Sequence, residues 1–135
     1  MRRRWRIPAA LALALGLGGA GVARGDGQTL PLGEYQGGGR ACQGRLVLTA
    51  RTMSWTSSSS HCARNPYRAI RAADAGSSPV FVFELTRPSA GCRHESISLR
   101  QTGADAFEAI GYPSAADREA RRLDDALICP MVKLR

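Results

Sequence analysis

Polar and apolar side chains alternate along most of the chain after residue 30, which predicts a succession of short β-strands. The clearest case lies within residues 41–62, where Leu46 and Leu48 lie on one arm and Met53 and Trp55 on the other. A period of two places successive side chains on opposite faces of a strand. We therefore predict a β-hairpin that contributes Trp55 to the core, because buried aromatic side chains dominate small cores.

Other segments extend this pattern. Residues 80–86 are largely apolar on both faces, which predicts a central strand that is covered on both sides for part of its length. Asn65 and Pro66 predict a turn ahead of the strand that follows them. The remaining predicted strands are residues 32–36, 67–71, 94–100, 106–112 and 126–134.

One helix near the C-terminus is predicted from its capping residues. Ser114 precedes Asp117 by three residues, an arrangement similar to a capping box. Ala116, Ala120 and Leu123 then form a narrow apolar stripe at helical spacing. The whole pattern predicts a mainly β protein, an antiparallel meander of seven or eight short strands. Closure of that meander into a small barrel-like sheet would hide the strand edges. The predicted fold also includes one short helix near the C-terminus.

Residues 1–25 have the composition of a secretory signal peptide. An Arg-rich start is followed by a short run of Ala and Leu and then by small residues, with cleavage predicted after Ala23 or Gly25. The apolar run is too short for an ordinary membrane span. We therefore predict an exported protein, periplasmic or secreted, in which residues 26–135 form a single disulfide-stabilised β-rich domain.

The charge of the chain changes when the leader is set apart. The full sequence carries a formal net charge of +8, but five of its nineteen basic residues and none of its eleven acids lie in the first 25 residues. Fourteen basic and eleven acidic side chains remain, a net charge of +3. A charge of this size does not favour nucleic-acid binding, so we predict no nucleic-acid partner. We also predict no transmembrane segment after leader removal.

All four cysteines follow the leader, and an even number of cysteines in an exported chain predicts two disulfides. The sequence allows three pairings. We prefer Cys42–Cys62 with Cys92–Cys129, because the first bridge would close the predicted hairpin. Cys62–Cys92 with Cys42–Cys129 is the alternative.

The two histidines are the first candidates for chemistry. His61 adjoins Cys62, and His94 lies two residues after Cys92. Two cysteines and two histidines can hold zinc, but the usual ligand spacings are absent and an oxidising compartment favours disulfides. We therefore predict two exposed loop histidines, no metal site and no cofactor.

The sequence offers no catalytic residues and does not assign ligand-binding residues. No Gly-x-Ser-x-Gly elbow is present, and no serine is placed against a base. Glu84, Glu95 and Glu108 lie on predicted strands. One interpretation is that such an acid lines a barrel cavity, paired with Arg68 or Arg100, and the other is that it lies at the solvent-exposed end of its strand. We prefer the solvent-exposed end, because glutamate is rarely buried without a partner.

These features predict an exported, non-enzymatic binding protein that holds a small apolar ligand or a protein partner. Residues 56–60, the exposed tip of a predicted loop, are a candidate contact for such a partner. The alternative is an envelope structural or enzyme-inhibitor protein that acts through protein–protein contact. A cavity lined by Phe81, Phe83, Trp55 and Leu99 would favour the small ligand. A filled core with an exposed apolar rim would favour the protein partner.

Overall fold

The structure is a computed structural model that describes residues 29–72 and 78–135. The predicted signal peptide, residues 1–25, lies outside the described residues. Within the described ranges, no helix is long and apolar enough to cross a bilayer. The elements are β1 (Gly33–Gly37), β2 (Gly44–Leu48), β3 (Thr52–Thr56), β4 (His61–Ala72), β5 (Val80–Leu85), β6 (Ser96–Gln101), β7 (Ala106–Tyr112), α1 (Ala115–Glu119) and β8 (Leu127–Lys133).

The strands form a closed barrel, which confirms the predicted meander. Each strand pairs antiparallel with the next along the chain, and β1 also pairs with β8. At this seam Tyr35 lies opposite Lys133, and Gly37 lies opposite Met131. Closure leaves neither terminal strand with a free edge, the feature through which open sheets aggregate.

β4 differs most from its prediction, because it starts at His61 and runs through the predicted turn. Pro66 lies opposite Thr52 in the β3–β4 ladder, so Asn65 and Pro66 are inside the strand. The register between β3 and β4 shifts, and Arg64 has a φ of 47°. These are features of a β-bulge, which accommodates a proline within a sheet. The turn prediction was therefore wrong, and the Asn-Pro pair belongs to a bulged strand.

Side chains fill the inside of the barrel. Phe81, Phe83, Trp55 and Leu99 have exposed fractions of only 8, 0, 1 and 0%, and all four belong to one core cluster. Outward-facing Val82 is also buried, whereas Val80 and Glu84 are partly exposed, so β5 is covered on both sides for part of its length, as predicted. Burial of each large apolar side chain contributes about 1.5–3 kcal/mol. The four side chains considered as the lining of a ligand cavity are thus part of the core.

Two disulfides cross-link one end of the barrel, but the preferred pairing was wrong. Cys42 is bonded to Cys129 and Cys62 to Cys92, the alternative pairing. Closure of the barrel explains this result, because it places the β1–β2 connection beside β8. We call Cys42–Cys129 the seam bridge, Cys62–Cys92 the end bridge, and this side of the barrel the cross-linked end. Two disulfides are consistent with an exported protein.

α1 lies in the β7–β8 connection and is held to the barrel by polar contacts. It starts as predicted at Ser114, whose hydroxyl accepts a hydrogen bond from the Asp117 N–H at 3.1 Å. No helix residue is buried, so the predicted apolar stripe makes no core contact. Instead Arg118 donates from Nε to the Ser96 hydroxyl at 2.8 Å and from a terminal nitrogen to the Glu84 carboxylate at 3.2 Å.

Candidate functional site

A pocket of about 540 Å³ opens at the cross-linked end of the barrel. Three connections contribute to it: β3–β4, β5–β6 and β7–β8. We call it the His94 pocket, after the buried polar side chain in its wall. It is lined by Ser59, Arg93, His94, Pro113, Asp124, Asp125, Ala126 and Leu127.

The loop that carries His94 is fixed on both sides of that residue. The Arg93 backbone N–H donates to the Ser60 hydroxyl at 2.9 Å. The Glu95 backbone N–H donates to the Tyr112 carbonyl at 3.1 Å. The end bridge ties the same loop to β4. The position of the imidazole is therefore set by the barrel scaffold.

Two acidic residues of the β7–β8 connection also line the pocket. The Ala126 N–H donates to the Leu123 carbonyl at 3.2 Å, which closes a turn with Asp124 and Asp125 at its central positions. Both aspartates are exposed. The turn therefore presents two adjacent carboxylates at the mouth of the pocket.

His94 packs tightly against the barrel interior. Its exposed fraction is 5%, and its ring lies 5.2 Å from that of Trp55 between centroids, at an interplanar angle of 32°. Gly111 of β7 leaves room for this pair. A Cβ atom at that position would lie 2.7 Å from His94 Cγ and 2.8 Å from Trp55 Cζ3.

The buried imidazole is not satisfied by its surroundings. Within the described ranges, neither ring nitrogen of His94 has a hydrogen-bond partner, and the same is true of Trp55 Nε1. A buried polar group without a partner costs about 1–3 kcal/mol, and most buried polar side chains in native proteins are partnered. His94 lines an open pocket, but both of its ring nitrogens are inaccessible in this structure, so a group that enters the pocket can bond to them only after the imidazole turns towards it.

Burial lowers the pKa of His94, and the neighbouring Arg93 guanidinium lowers it further. The ordinary value is 6.5, so the side chain is neutral at pH 7. A neutral imidazole has one N–H donor and one nitrogen acceptor. This donor and this acceptor lie behind the wall of the pocket, without accessible surface in this structure.

The two histidines differ in their surroundings. His61 is exposed, as predicted, with its Nδ1 3.3 Å from the Thr56 hydroxyl. His94 is buried, so the expectation of a second exposed histidine was wrong. In residues 29–72 and 78–135 no group of three or more histidine, cysteine or acidic side chains is arranged to hold a metal ion.

The acids considered in the sequence lie outside the barrel interior. The Glu84 carboxylate faces outward, 2.6 Å from Arg68 and 3.2 Å from Arg118. The hydrogen bond from Arg68 is the main cause of the lowered pKa of Glu84. Glu108 lies 3.0 Å from Arg100 on the same face. These acids form surface ion pairs and do not line an interior cavity.

Sequence reasoning missed most of the pocket. Glu95, the third acid considered, is exposed. Arg93, Asp124 and Asp125 were not selected as site residues, since nothing in their local pattern places them beside His94. Only the proximity of His94 to a cysteine marked that residue in the sequence.

A second depression, the outer groove, lies on the outside of β5–β7 beside the segment that follows α1. Its volume is about 540 Å³, and Val82, Ile110 and Leu123 contribute apolar side chains to it. Farther round the barrel, Ile128 and Val132 of β8 point outward and are exposed. Exposed apolar surface of this kind is typical of protein contact sites.

Comparisons with protein-family models, with curated proteins and with solved structures found no match to this chain.

Proposed function

We propose that this protein is an exported, non-enzymatic binding protein that recognises a protein partner by taking one of the partner's side chains into the His94 pocket. One observation carries this proposal: the imidazole of His94 is buried at the wall of an open pocket, with no hydrogen-bond partner among the described residues. Both ring nitrogens are inaccessible in the free protein, so the proposal includes a turn of the imidazole towards the pocket when the partner binds. A side chain that then bonded to the imidazole would remove the cost of an unsatisfied buried group.

Export is supported by two independent features of the chain. Residues 1–25 have the composition of a secretory signal. The two disulfides suit an oxidising compartment, where such bridges persist. A rigid, cross-linked end also suits binding, because a preorganised site loses less conformational freedom when its ligand binds.

A protein partner is favoured over a small apolar ligand. The barrel interior is filled by its own side chains, which removes the main support for an apolar ligand inside it. Leu123 and Ile128 flank the pocket-lining segment 124–127 and are exposed. A polar pocket beside exposed apolar side chains resembles the core of a protein interface, where a few anchored side chains dominate the energy.

Binding is favoured over hydrolysis by the arrangement of the polar groups. Ser59, His94 and Asp124 all line the pocket, so a serine nucleophile is formally available. Such a mechanism requires hydrogen bonds from nucleophile to base and from base to acid. Neither nitrogen of His94 makes a bond of this kind to a described residue.

The proposal is tested by selecting a displayed library of random peptides on the purified, disulfide-bonded protein. A parallel selection uses His94→Leu, an apolar substitution of similar volume. His61→Leu is the matched control, because it makes the same change at an exposed histidine. We expect peptides that bind the wild type and the control at least tenfold better than the His94 variant.

Two results would contradict the proposal. One is a selection that enriches no peptide on the wild type. The other is a set of peptides that bind His94→Leu as well as the wild type, since recognition would then lie elsewhere, for example in the outer groove.

A further inference from the structure

We propose that the outer face of β8 is a docking surface for a protein partner, and that it binds an amphipathic α-helix of that partner with acidic residues along one edge. We call this surface the β8 strip, which consists of the side chains of Ile128, Pro130, Val132 and Leu134. The inference rests on the proposed function, since it assumes a protein partner, but it concerns a surface outside the His94 pocket.

All outward positions along β8 are apolar. Its residues alternate between exposed and buried, with Ile128, Pro130 and Val132 exposed. The exposed fractions of Ile128, Val132 and Leu134 are 44, 55 and 48%, so three of the five large apolar side chains exposed in the described part of the chain lie on this strip. The outward positions of β3, by contrast, hold only serine and threonine. A continuous apolar row on an exposed face is typical of an interaction site.

The β8 strip is long and narrow. Its six residue steps span about 20 Å at the rise of a β-strand. Polar side chains border it, with Gln36 of β1 opposite Val132 and Glu108 of β7 opposite Pro130. The closed barrel pairs β8 on both sides, which leaves no edge of β8 for an extended segment to join. A helix suits this surface, because its apolar side chains recur about 5–6 Å apart on one face and about 13 residues span the strip.

The flank of the strip on the β1 side is basic. Glu34 lies 3.5 Å from Arg45 and 3.4 Å from Arg135. Exposed Arg40 lies in the β1–β2 connection, which is hydrogen-bonded to β8. Three arginines and one glutamate give this flank a net charge of +2. A partner with acidic side chains along the facing edge is therefore complementary to it.

The flank on the β7 side carries an ion pair and no net charge. Glu108 lies 3.0 Å from Arg100, so the two charges cancel. A helix with one acidic edge therefore fits the strip in one orientation. An anionic membrane would meet both flanks and bring its phosphates against Glu108, so the difference between the flanks favours a protein partner.

The strip begins beside the His94 pocket. Leu127 lines that pocket, and the next residue, Ile128, is the first of the strip. A partner that inserts one side chain into the pocket can therefore extend along β8 and bury more apolar surface.

The inference is tested by selecting a displayed library, in which one face of a helical scaffold is randomised, on the disulfide-bonded wild type. Val132→Asp places a charge within the strip, and Leu134→Asp repeats the test beyond the end of β8, where no strand pairing is at stake. Leu123→Asp is the matched control, because Leu123 is 50% exposed but lies outside the strip. We expect selected helices with an apolar stripe and an acidic edge, which bind both strip variants at least tenfold more weakly than the wild type and the control.

Reversal of the basic flank gives a second readout. Arg45→Glu combined with Arg135→Glu should weaken the selected helices at least tenfold. Arg51→Glu combined with Arg87→Glu is the matched control, since it reverses two exposed arginines on other connections and should change affinity less than twofold. Added salt should weaken binding to the wild type, because it screens exposed charges.

Three results of the selection would overturn the inference: no enriched helix, helices that tolerate Val132→Asp, or helices without an acidic edge. Two other occupants are tested on the protein alone, by sedimentation velocity and by binding to vesicles of phosphatidylcholine and phosphatidylglycerol. Self-association or vesicle binding that Val132→Asp abolished would assign the strip to a second copy or to a membrane, and would also overturn the inference.

Failure of the inference is distinguishable from failure of the proposed function. Random-library peptides that depend on His94 but tolerate Val132→Asp would leave the pocket as the binding site and exclude the strip. Helices that depend on Val132 but tolerate His94→Leu, in the absence of any His94-dependent peptide, would leave the strip and exclude the pocket.

Discussion

Replacement of Gly111 by alanine tests the packing on which the pocket depends. The new Cβ atom would lie 2.7 Å from His94 Cγ, 2.8 Å from His94 Nδ1 and 2.8 Å from Trp55 Cζ3. Carbon atoms in contact are normally about 3.5–4.0 Å apart, so one or both rings must retreat by roughly 1 Å. Both rings are buried, which leaves little space for that movement.

The expected cost follows from two opposing effects. Overpacking of a well-filled core costs typically about 1–3 kcal/mol. Alanine recovers roughly 0.5–1 kcal/mol, because glycine is unfavourable within a strand. We expect Gly111→Ala to lower the free energy of unfolding by about 1–2 kcal/mol. Each kcal/mol corresponds to a fall in Tm of about 4–8 °C for a domain of about this size.

The assay is chemical and thermal denaturation of oxidised protein, with Gly38→Ala as the control. A Cβ atom at Gly38 would come no closer than 3.9 Å to another side chain, the ring of Pro130. The control should stay within about 0.5 kcal/mol of the wild type. Addition of His94→Ala to Gly111→Ala should recover part of the loss, because it removes two of the three close contacts. Equal stability of Gly111→Ala and Gly38→Ala would refute this account of the pocket.

Three further predictions concern stability. His94→Leu should raise the free energy of unfolding at pH 7 by up to about 1 kcal/mol, because it removes an unsatisfied buried group. The folded-state pKa of His94 is lowered, so wild-type stability should fall as the pH drops below 6.5, and denaturation at pH 7 and 5 should show a smaller fall in this variant. Arg118→Ala should lower the free energy of unfolding, measured by urea denaturation, by about 1.5–3 kcal/mol, and Arg68→Ala should lower it by less than about 1 kcal/mol. The difference is expected because the Arg118 side chain is 19% exposed and the Arg68 side chain 69% exposed. Removal of either disulfide, by replacing its two cysteines with alanine, should lower the free energy of unfolding. The sequence separations of 87 and 30 residues predict a loss of about 4.6 kcal/mol for the seam bridge and about 3.6 kcal/mol for the end bridge. A larger loss from the end bridge would show that loop length does not govern the difference.

The local pattern of side chains was enough to predict most of the fold. Alternation identified the hairpin arms, the central strand and the core position of Trp55, because each depends on the periodicity of a few neighbouring residues. Ser114 was identified as the helix cap for the same reason. The turn predicted at the Asn65-Pro66 pair was wrong, since a bulge within a long strand and a turn between strands share the same local sequence signal.

The disulfide pairing and the site could not be predicted in the same way, because both depend on distant residues. Cys42 reaches Cys129 only once the barrel has closed through β1 and β8. His94 is buried because its loop folds over the end of the barrel onto Trp55, where Gly111 leaves space. No short stretch of sequence contains these contacts.

The most direct test of the account is the ¹⁵N chemical shift of the His94 ring nitrogens, measured in the free protein and at saturation with a library-selected peptide. The account predicts a change at one or both nitrogens, because the bound side chain supplies the hydrogen bonds that the barrel does not. The exposed ring of His61 should keep its free-state shifts. Unchanged His94 resonances at saturation would contradict the claim that this pocket is where the protein binds its partner.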